Sequence, residues 1–168
     1  MKKGVQKIYQ EVAPTYELVN HILTWGFDIR WRKRAVKTTS ALRGGLWMDV
    51  CSGTGELAQA LARSRDDVQV LALDFSLPML ERARQKKGLE QGFFSLGDVT
   101  RLPFAENTFD LITISFATRN LNPNPGYLSA CLREFCRVLK PGGIFLNLET
   151  SQPRPPWLRR LFHLYIRM

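Results

Sequence analysis

A glycine-rich loop, followed one strand later by an aspartate, has the residue types of a nucleotide-cofactor site. The stretch MDVCSGTGEL, residues 48–57, is an apolar run that ends in Gly53, Thr54 and Gly55, and Asp74 closes the next apolar run. Glycine permits unusual backbone angles and close approach of a ligand, and an acid at the end of the second strand binds ribose hydroxyls. These residues therefore predict a nucleoside-containing cofactor. The pattern G-x-G-x-x-A alone does not separate a dinucleotide from other cofactors.

Asp49 separates the two interpretations of this loop. It stands four residues before Gly53, at the carboxyl end of the first predicted strand. A dinucleotide places its anionic pyrophosphate at the N-terminus of the following helix, where a carboxylate would repel it. S-adenosylmethionine carries an ammonium and a sulfonium group, and a nearby carboxylate suits both cations. We therefore predict S-adenosylmethionine as the cofactor, with a capping or loop-bracing role for Asp49 as the alternative.

A second discriminating segment is GDVTRLPFAENTFDLI, residues 97–112. Asp98 lies at the end of the third predicted strand, where its carboxylate could accept a hydrogen bond from an adenine amino group. The backbone N–H of Val99 could meet the adjacent ring nitrogen. The segment alone is also consistent with a turn followed by a core strand. Together with Asp49, Gly53 and Asp74, it favours a methyltransferase over a dehydrogenase.

The elements that must position these residues alternate between strands and helices. Five strands are predicted from the apolar runs LWMDVC, VQVLALDF, FFSLGDV, FDLITISFA and IFLNLET, with helices at ELAQALARS, SLPMLERARQKKG and YLSACLREFCRVLKPGG. The second of these helices is predicted to start at a Ser76 cap and to stop at Gly88, and Lys-Pro-Gly-Gly is predicted to end the third. The alternation indicates βαβ units, hence an α/β fold with a doubly wound parallel sheet. Ligands bind such sheets at the carboxyl ends of the strands.

Two regions are predicted within a single globular unit. Residues 1–43 have a helical pattern with breaks at Pro14 and near Gly26, and we expect them to form a cover over the substrate. Residues 44–168 are expected to form the cofactor-binding sheet domain and to end in a basic helix. No apolar run reaches the ~18 residues of a membrane span. Because the N-terminus also lacks an apolar signal region and no cysteines form a C-x-x-C pair, we predict a cytoplasmic protein.

The net charge of +9 raises the question of an anionic partner. Its basic residues cluster in RWRKR, residues 30–34, and in the last fifteen residues, but neither segment has the aromatic and glycine pattern of an RNA-stacking sheet. We therefore predict no nucleic acid partner. A solvated basic surface and contact with the inner membrane surface both stay open. The tail PPWLRRLFHLYIRM suits an interfacial helix, or a helix that packs on the sheet or on a second subunit as a homodimer.

At this point the sequence resembles the UbiE-type ubiquinone/menaquinone C-methyltransferases, which are class I S-adenosylmethionine-dependent enzymes. The resemblance runs from about Ile8 to the C-terminus and is carried by YELVNHILTWGFDIRW, DVCSGTGEL, ALDFSLPML, GDVTRLPFAENTFDLITISFATRNL and REFCRVLKPGGIFLNLETSQP. It implies a Rossmann-like sheet and methylation of a ring carbon of a polyprenylated quinol. Family members continue into two further strands, so the chain is expected to be C-terminally truncated. The resemblance implies cofactor contacts at Thr54, Asp74, Asp98, Val99 and Ser115. The family often has Asp where Glu56 stands.

Catalytic candidates follow the fourth strand and lie in the N-terminal helices. We predict that Arg119 stabilises a phenolate of the quinol and that Asn120 orients the ring or a water molecule. An ion pair that holds the loop is the alternative for Arg119. His21 is a candidate general base, with a packing or capping role as the alternative. Glu149 could accept a proton or pair with a lysine. The predicted cover also offers Tyr16, Asn20 and Trp25.

Some alternatives remain at the level of function. A methyltransferase for another small apolar acceptor would use the same cofactor site. A non-catalytic S-adenosylmethionine-binding scaffold protein of quinone biosynthesis would also retain it. No His and Cys residues have the spacing of metal ligands, so we predict no metal.

Overall fold

A parallel sheet of five strands forms the centre of the protein. The computed structural model describes residues 16–90, 92–121, 125–151, 155–157 and 159–160. The strands are β1 (Gly45–Val50), β2 (Val68–Asp74), β3 (Phe93–Leu96), β4 (Phe109–Ser115) and β5 (Leu139–Leu148). They lie in the order β3-β2-β1-β4-β5, and every pair of neighbours is parallel. β1 is therefore central, and the carboxyl ends of all five strands meet at one edge.

Helices precede the sheet and connect its strands. The helices are α1 (Tyr16–Leu23), α2 (Phe27–Thr38), α3 (Glu56–Ala62), α4 (Leu77–Arg84) and α5 (Pro125–Val138), with a short 3-10 helix at Thr118–Leu121. A parallel connection needs a crossover, and each helix that follows β1, β2 or β4 supplies one. Among the described residues, no helix is long and apolar enough to cross a membrane.

Both faces of the sheet are buried. Met48 and Val50 of β1 belong to a core cluster with Phe135 of α5. Trp47, on the opposite face of the same strand, packs in a second cluster with Leu57 of α3. Side chains of a strand alternate between faces, so a strand covered on both sides must be apolar at nearly every position. The predicted doubly wound α/β sheet is confirmed.

Two predicted helix ends are wrong. α4 ends at Arg84 rather than at Gly88, which lies in the turn that follows. β5 begins at Leu139 directly after α5, so Lys-Pro-Gly-Gly belongs to the strand and not to a helix end. Its pairing with β4 is irregular between Phe109 and Leu111, which accommodates Gly142 at φ 78°. The stop signals in both cases are real turn residues, but tertiary pairing decides where the elements end.

The predicted C-terminal helix falls largely outside the described residues. Only 155–157 and 159–160 of that segment are described, and Trp157, Arg159 and Arg160 are exposed there. The division into a helical region, residues 1–43, and a sheet region, residues 44–168, stays a prediction, as does the covering role of the first region.

Candidate functional site

Two adjoining clefts open where β1, β2 and β4 end. The first, here called the aspartate cleft, is lined by Asp74 and Asp98, and the second, the arginine cleft, by Arg32 and Arg119. The two clefts share the residues Cys51, Gly53, Ser115, Phe116 and Asn120. An elongated ligand can therefore occupy both clefts by crossing Gly53.

The glycine loop between β1 and α3 is held by Asp74 and packed against α4. The N–H of Gly53 donates to Oδ2 of Asp74 at 2.8 Å, and the N–H of Ser76 donates to Oδ1 at 2.9 Å. Gly55 has φ 79°, and a Cβ there would lie 2.7 Å from the Cβ of Ala83, so only glycine fits. A Cβ at Gly53 would meet no atom within 4 Å, which leaves room for a ligand.

Burial and hydrogen bonding oppose each other at Asp74. Desolvation raises the pKa of its carboxyl, although the backbone N–H groups of Gly53 and Ser76 lower it. Each carboxylate oxygen has a further lone pair beyond the bond to the backbone, so Asp74 can still accept a hydrogen bond from a ribose hydroxyl. It therefore braces the loop and lines the aspartate cleft.

Asp98 lies at the mouth of the aspartate cleft. Its Oδ1 accepts hydrogen bonds at 2.8 Å from both the N–H and the hydroxyl of Thr100. The hydroxyl of Tyr127 lies 3.5 Å from the same oxygen, and the proximity of Asp98, after burial, helps raise the pKa of Tyr127 to about 12. Val99 follows Asp98 in the cleft wall. The loop after β3 is thus ordered by Asp98 itself.

Two non-glycine residues take left-handed backbone angles where strands end. Cys51 has φ 52° directly after β1, and Phe116 has φ 55° directly after β4. The left-handed region costs a non-glycine residue about 1–2 kcal/mol, and such strain concentrates at ligand sites. Both residues line both clefts. Burial raises the pKa of the Cys51 thiol well above its ordinary value, so the sulfur is an uncharged part of the wall.

Asp49 lies inside the sheet and lines neither cleft. The hydroxyl of Thr113 donates to its Oδ1 at 2.7 Å, and its Oδ2 has no hydrogen-bond partner among the described residues. Burial raises the pKa of Asp49 to about 7, against the opposing hydrogen bond from Thr113. Its predicted position directly beside the ligand therefore needs correction: any influence on cofactor cations would pass through the protein interior. Its cofactor-binding role stays a prediction.

The residues after β4 approach the arginine cleft. Ser115 and Asn120 line both clefts, whereas Arg119 lines the arginine cleft alone. The Nη2 of Arg119 lies 3.4 Å from the hydroxyl of Thr150, and its backbone N–H lies 3.4 Å from Glu149. Glu149 also lines this cleft. The side chains predicted to act on the substrate therefore stand beside one another at the end of the sheet.

The N-terminal helices join the glycine-loop helix through a closed ring of four charged and polar groups. Arg32 of α2 donates to Asp28 at 2.5 Å and to Glu56, the first residue of α3, at 2.9 Å. His21 of α1 completes the ring, with Nδ1 2.8 Å from Asp28 and Nε2 3.3 Å from Glu56. The hydroxyl of Thr24 donates to the second oxygen of Asp28 at 2.6 Å. We call His21, Asp28, Arg32 and Glu56 the charged ring.

Sequence reasoning missed the charged ring. It treated His21 as a candidate base, but the structure places both imidazole nitrogens against carboxylates and outside the cleft walls. The base role stays a prediction. Trp25, a candidate for the substrate cover, is 81% exposed and lines neither cleft. The only available signal for the ring was the spacing of Asp28 and Arg32, which places them one turn apart on one helix.

One group among the described residues could offer ligand atoms to a metal ion: Glu17, His21 and Glu56. Glu17 already pairs with Lys86 at 2.8 Å, and Glu56 pairs with Arg32. Such carboxylates are neutralised by neighbouring cations, so the geometry does not require an ion. The prediction of no metal stays a prediction.

The sequence-predicted residues fall into three sets by position. The aspartate cleft collects Gly53, Asp74, Asp98, Val99, Ser115 and Asn120. The arginine cleft collects Gly53, Thr54, Ser115, Arg119 and Asn120. Asp49, Gly55 and His21 line neither. Sequence reasoning missed further residues that line a cleft, among them Arg32, Cys51, Glu56, Phe116 and Tyr127. For Cys51 and Phe116, the position at the end of a predicted strand was a signal that could have identified them.

A parallel sheet in this order, with a glycine loop after β1 and acids at the ends of β2 and β3, defines the class I methyltransferase fold. A solved Methanococcus maripaludis protein, named as a candidate S-adenosyl-L-methionine-dependent methyltransferase, has a TM-score of 0.70 and 24% identity over 94% of this chain and 70% of its own. An S-adenosylmethionine-dependent methyltransferase from Clostridium acetobutylicum has a TM-score of 0.67 and 21% identity over 79% of this chain and 55% of its own.

The chain belongs to the ubiE/COQ5 methyltransferase family, whose model matches residues 1–168. A demethylmenaquinone methyltransferase of Staphylococcus epidermidis is 40% identical over 168 residues, which is 99% of this chain and 68% of that relative. The predicted family and the predicted methyltransferase class are confirmed. Membership also implies S-adenosylmethionine as the methyl donor, and the chemistry of the aspartate cleft fits it, because its lining combines the hydrogen-bond acceptors Asp74 and Asp98 with the apolar residues Met79 and Leu121.

Proposed function

We propose that this chain transfers a methyl group from S-adenosylmethionine to a ring carbon of a polyprenylated quinol, with demethylmenaquinol as the acceptor. The observation that carries the proposal is the junction of the two clefts at Gly53, with acceptor groups for a nucleoside on one side and Arg119 and Asn120 on the other. The similar Staphylococcus epidermidis protein is named for the same acceptor class. A precursor of ubiquinone is the alternative acceptor.

The aspartate cleft would hold the nucleoside part of the cofactor. Asp74 would accept from the ribose hydroxyls, and Asp98 with the N–H of Val99 would meet the edge of the adenine. Thr54, Gly53 and Gly55 would shape the passage to the arginine cleft. When bound, the cofactor supplies a sulfonium methyl group, whose transfer forms the new carbon–carbon bond, leaves a thioether and releases the ring proton.

Residues of the arginine cleft would prepare the acceptor. A quinol attacks more readily once a hydroxyl has lost its proton, and a phenol has an ordinary pKa near ~10. The guanidinium of Arg119 would stabilise the phenolate, and Asn120 would orient the ring or a water molecule. Glu149, which lines the same cleft, would receive a proton or pair with a cation. Alignment of the two reactants supplies much of the rate enhancement in such a site.

Three further properties belong to the same proposal. A polyprenylated acceptor resides in a bilayer, so the protein would work in the cytoplasm and meet the inner membrane peripherally. A homodimer is compatible with the exposed apolar surface. The non-catalytic scaffold is not favoured, because it would need neither Arg119 nor Asn120 in a cleft wall.

The direct test is methyl transfer from cofactor labelled in its methyl group to short-chain demethylmenaquinol, assayed on this chain. We expect label in the quinol product and its loss in a reaction without reductant, where the quinone has no nucleophilic ring. Binding of S-adenosylhomocysteine without transfer to any quinol would contradict the enzyme and support the scaffold. Binding of NADH in its place would contradict the cofactor as well.

A further inference from the structure

The polar face of α1 is turned toward the protein. Glu17 forms an ion pair with Lys86 at 2.8 Å, and His21 belongs to the charged ring. Asn20 lines the arginine cleft, as does Thr24 just beyond the helix. Residues three and four apart share one side of a helix, so Glu17, Asn20, His21 and Thr24 form one continuous face. Among the described residues, this face carries the ion pairs of α1 and its contribution to the arginine cleft.

The apolar face of α1 is turned outward. Leu18, Val19, Ile22 and Leu23 lie between 47% and 64% exposed. These residues again share one side of the helix, opposite the polar face. An ordinary surface helix shows the reverse arrangement, with its apolar stripe toward the core. The exposed stripe continues into Trp25, which is 81% exposed at the turn before α2.

α2, the next helix along the chain, carries cations on its own exposed side. Arg30, Lys33, Arg34 and Lys37 are all exposed, and their spacing places them along one side of the helix. Phe27, Ile29 and Trp31 of the same helix are also partly exposed apolar residues. Apolar anchors with flanking Arg and Lys are the composition of a surface that enters the headgroup region of an anionic bilayer.

We propose that the outer face of α1 and α2, formed by Leu18, Val19, Ile22, Leu23, Trp25 and the cations of α2, docks on an anionic lipid bilayer. The apolar side chains enter the headgroup region, and the cations meet lipid phosphates. A second copy of the chain suits this face less well, because a two-fold contact would bring the cations of the two copies together. The link to catalysis rests on the proposed function: Asn20 and Thr24 on the inner face of α1 line the arginine cleft, so docking would place α1 between that cleft and the lipid that holds the acceptor.

Vesicle co-sedimentation of the whole chain tests the docking face. The vesicles contain phosphatidylcholine alone or phosphatidylcholine with phosphatidylglycerol, and no cofactor or quinol is added. We expect binding to the anionic vesicles and a decrease with added salt. Ile22→Ser with Leu23→Ser should lower the partition coefficient by about tenfold or more, since two apolar anchors are lost. Lys33→Glu with Lys37→Glu should lower it by about tenfold or more on anionic vesicles alone.

A matched control uses exposed apolar residues at the far edge of the sheet. Phe93 and Leu96 of β3 are 51% and 56% exposed, so Phe93→Ser with Leu96→Ser removes comparable surface away from α1. This control should bind vesicles like the original chain. Equal losses in control and test variants, or binding that ignores lipid charge, would overturn the proposal. So would lipid-independent dimers that Ile22→Ser with Leu23→Ser dissociates, because a second copy would then cover the face.

The outcome is separable from that of the proposed function. Lipid binding is measured without methyl transfer, and unchanged circular dichroism and melting temperature show that each variant is folded. If the chain binds anionic vesicles through α1 but methylates no quinol, the result would support the docking face and contradict the proposed function. A chain that methylates a soluble short-chain quinol without lipid binding would show the opposite.

Discussion

Asp49 is a carboxyl group that is fully buried in the sheet. Burial raises its pKa to about 7 from an ordinary 3.8, so the folded protein holds a proton there that the unfolded chain releases. A folded-state pKa above the unfolded value gives stability that is complete below the unfolded pKa and is lost as pH rises through the folded one. The shift in pKa corresponds to a loss of at most about 4 kcal/mol in the free energy of unfolding. The free energy of unfolding therefore decreases as pH rises from about 4 to about 7, and the loss persists above pH 7.

Asp49→Asn should remove this pH dependence. Asparagine keeps a carbonyl oxygen for the hydroxyl of Thr113 and resembles the protonated acid in charge. We expect the variant to be more stable than the original chain by about 1–4 kcal/mol at pH 8 and nearly equal to it below pH 4. Urea unfolding across that pH range measures the difference. A constant difference at all pH values would contradict ionisation of Asp49.

Asp110 supplies a control of opposite sign. Burial opposes its ionisation, but hydrogen bonds from Lys140 and the N–H of Leu46 lower its pKa overall. Its contribution to stability is therefore present above the unfolded pKa and lost as pH falls. Asp110→Asn should destabilise the protein at pH 8 and make little difference near pH 3.

Asp74 is expected to combine a structural and a ligand-binding role. Asp74→Ala removes the acceptor for the N–H groups of Gly53 and Ser76, together with the predicted ribose contact. We expect the affinity for S-adenosylhomocysteine to fall by about 1–3 kcal/mol and the free energy of unfolding to fall as well. Calorimetric titration and urea unfolding measure the two effects. Unchanged affinity with lowered stability would leave Asp74 only as a brace of the loop.

Arg119 is expected to affect turnover without affecting cofactor affinity. Its side chain lines the arginine cleft, where the acceptor is proposed to bind, and not the aspartate cleft. Arg119→Ala should lower kcat by about 10²–10³-fold, as for other groups that stabilise developing charge. Its dissociation constant for S-adenosylhomocysteine should stay nearly constant. Equal losses of rate and affinity would instead indicate that Arg119 holds the loop, and Thr150→Ala tests its nearest described contact.

At the scale of elements, the charged ring fixes α1 and α2 against α3. Asp28 and Arg32 are both buried, so removal of one charge leaves the other without full compensation. Breaking a buried pair from one side costs about 3–5 kcal/mol. Asp28→Asn should therefore loosen the N-terminal helices while the sheet stays folded. Hydrogen exchange should show lost protection in residues 16–38 and retained protection in β1 and β4.

The exposed ion pair of Arg65 and Asp67 is the matched control for that variant. Its partners lie 2.6 Å apart but face solvent, where ion pairs contribute little. Asp67→Asn should leave the exchange pattern of α1 and α2 unchanged. Uniform loss of protection in both variants would mean that Asp28 acts on global stability and not on the docking of the two helices.

The strands along the chain were predictable because local sequence patterns encode them. Apolar runs ended by Asp74 or Asp98 identify strands, and parallel topology then brings their carboxyl ends to one edge. The side of the strand toward which Asp49 points was less obvious. Period-two alternation places it on the face of Trp47, beneath α3, rather than at the cleft. The residue type alone could not distinguish the two positions.

The orientation of α1 and the charged ring could not be predicted from the sequence. An amphipathic helix shows which residues share a face but not which face meets the protein, and for α1 the ordinary assumption is wrong. His21 and Glu56 are 35 positions apart, and no local pattern relates them. Their contact depends on how α1 packs against the loop helix. Only the tertiary arrangement therefore shows that the carboxylate of Glu56 contacts both His21 and Arg32.

At the scale of the whole molecule, the charged ring predicts that helices and sheet unfold together. Trp25 and Trp31 lie in the N-terminal region, whereas Trp47 is buried in the sheet. If the ring couples both regions, the fluorescence of a variant that retains one of these tryptophans should give the same melting temperature as the far-ultraviolet circular dichroism of that same variant. Separate transitions would show that residues 16–38 form an independent unit and would contradict the single globular unit predicted from the sequence.

Cofactor binding should raise that common melting temperature. A ligand that binds only the folded chain, at a concentration 100 times its dissociation constant, adds about 2.7 kcal/mol of stability. For a chain of this size each kcal/mol raises the melting temperature by about 2–4 °C, so S-adenosylhomocysteine should raise it by about 5–10 °C. Because the helices and the sheet are expected to unfold together, the rise should be equal for probes in the sheet and in α2. NADH should give no rise. A rise in melting temperature confined to the sheet probe would mean that the ligand stabilises the sheet alone and that the charged ring does not couple α2 to it.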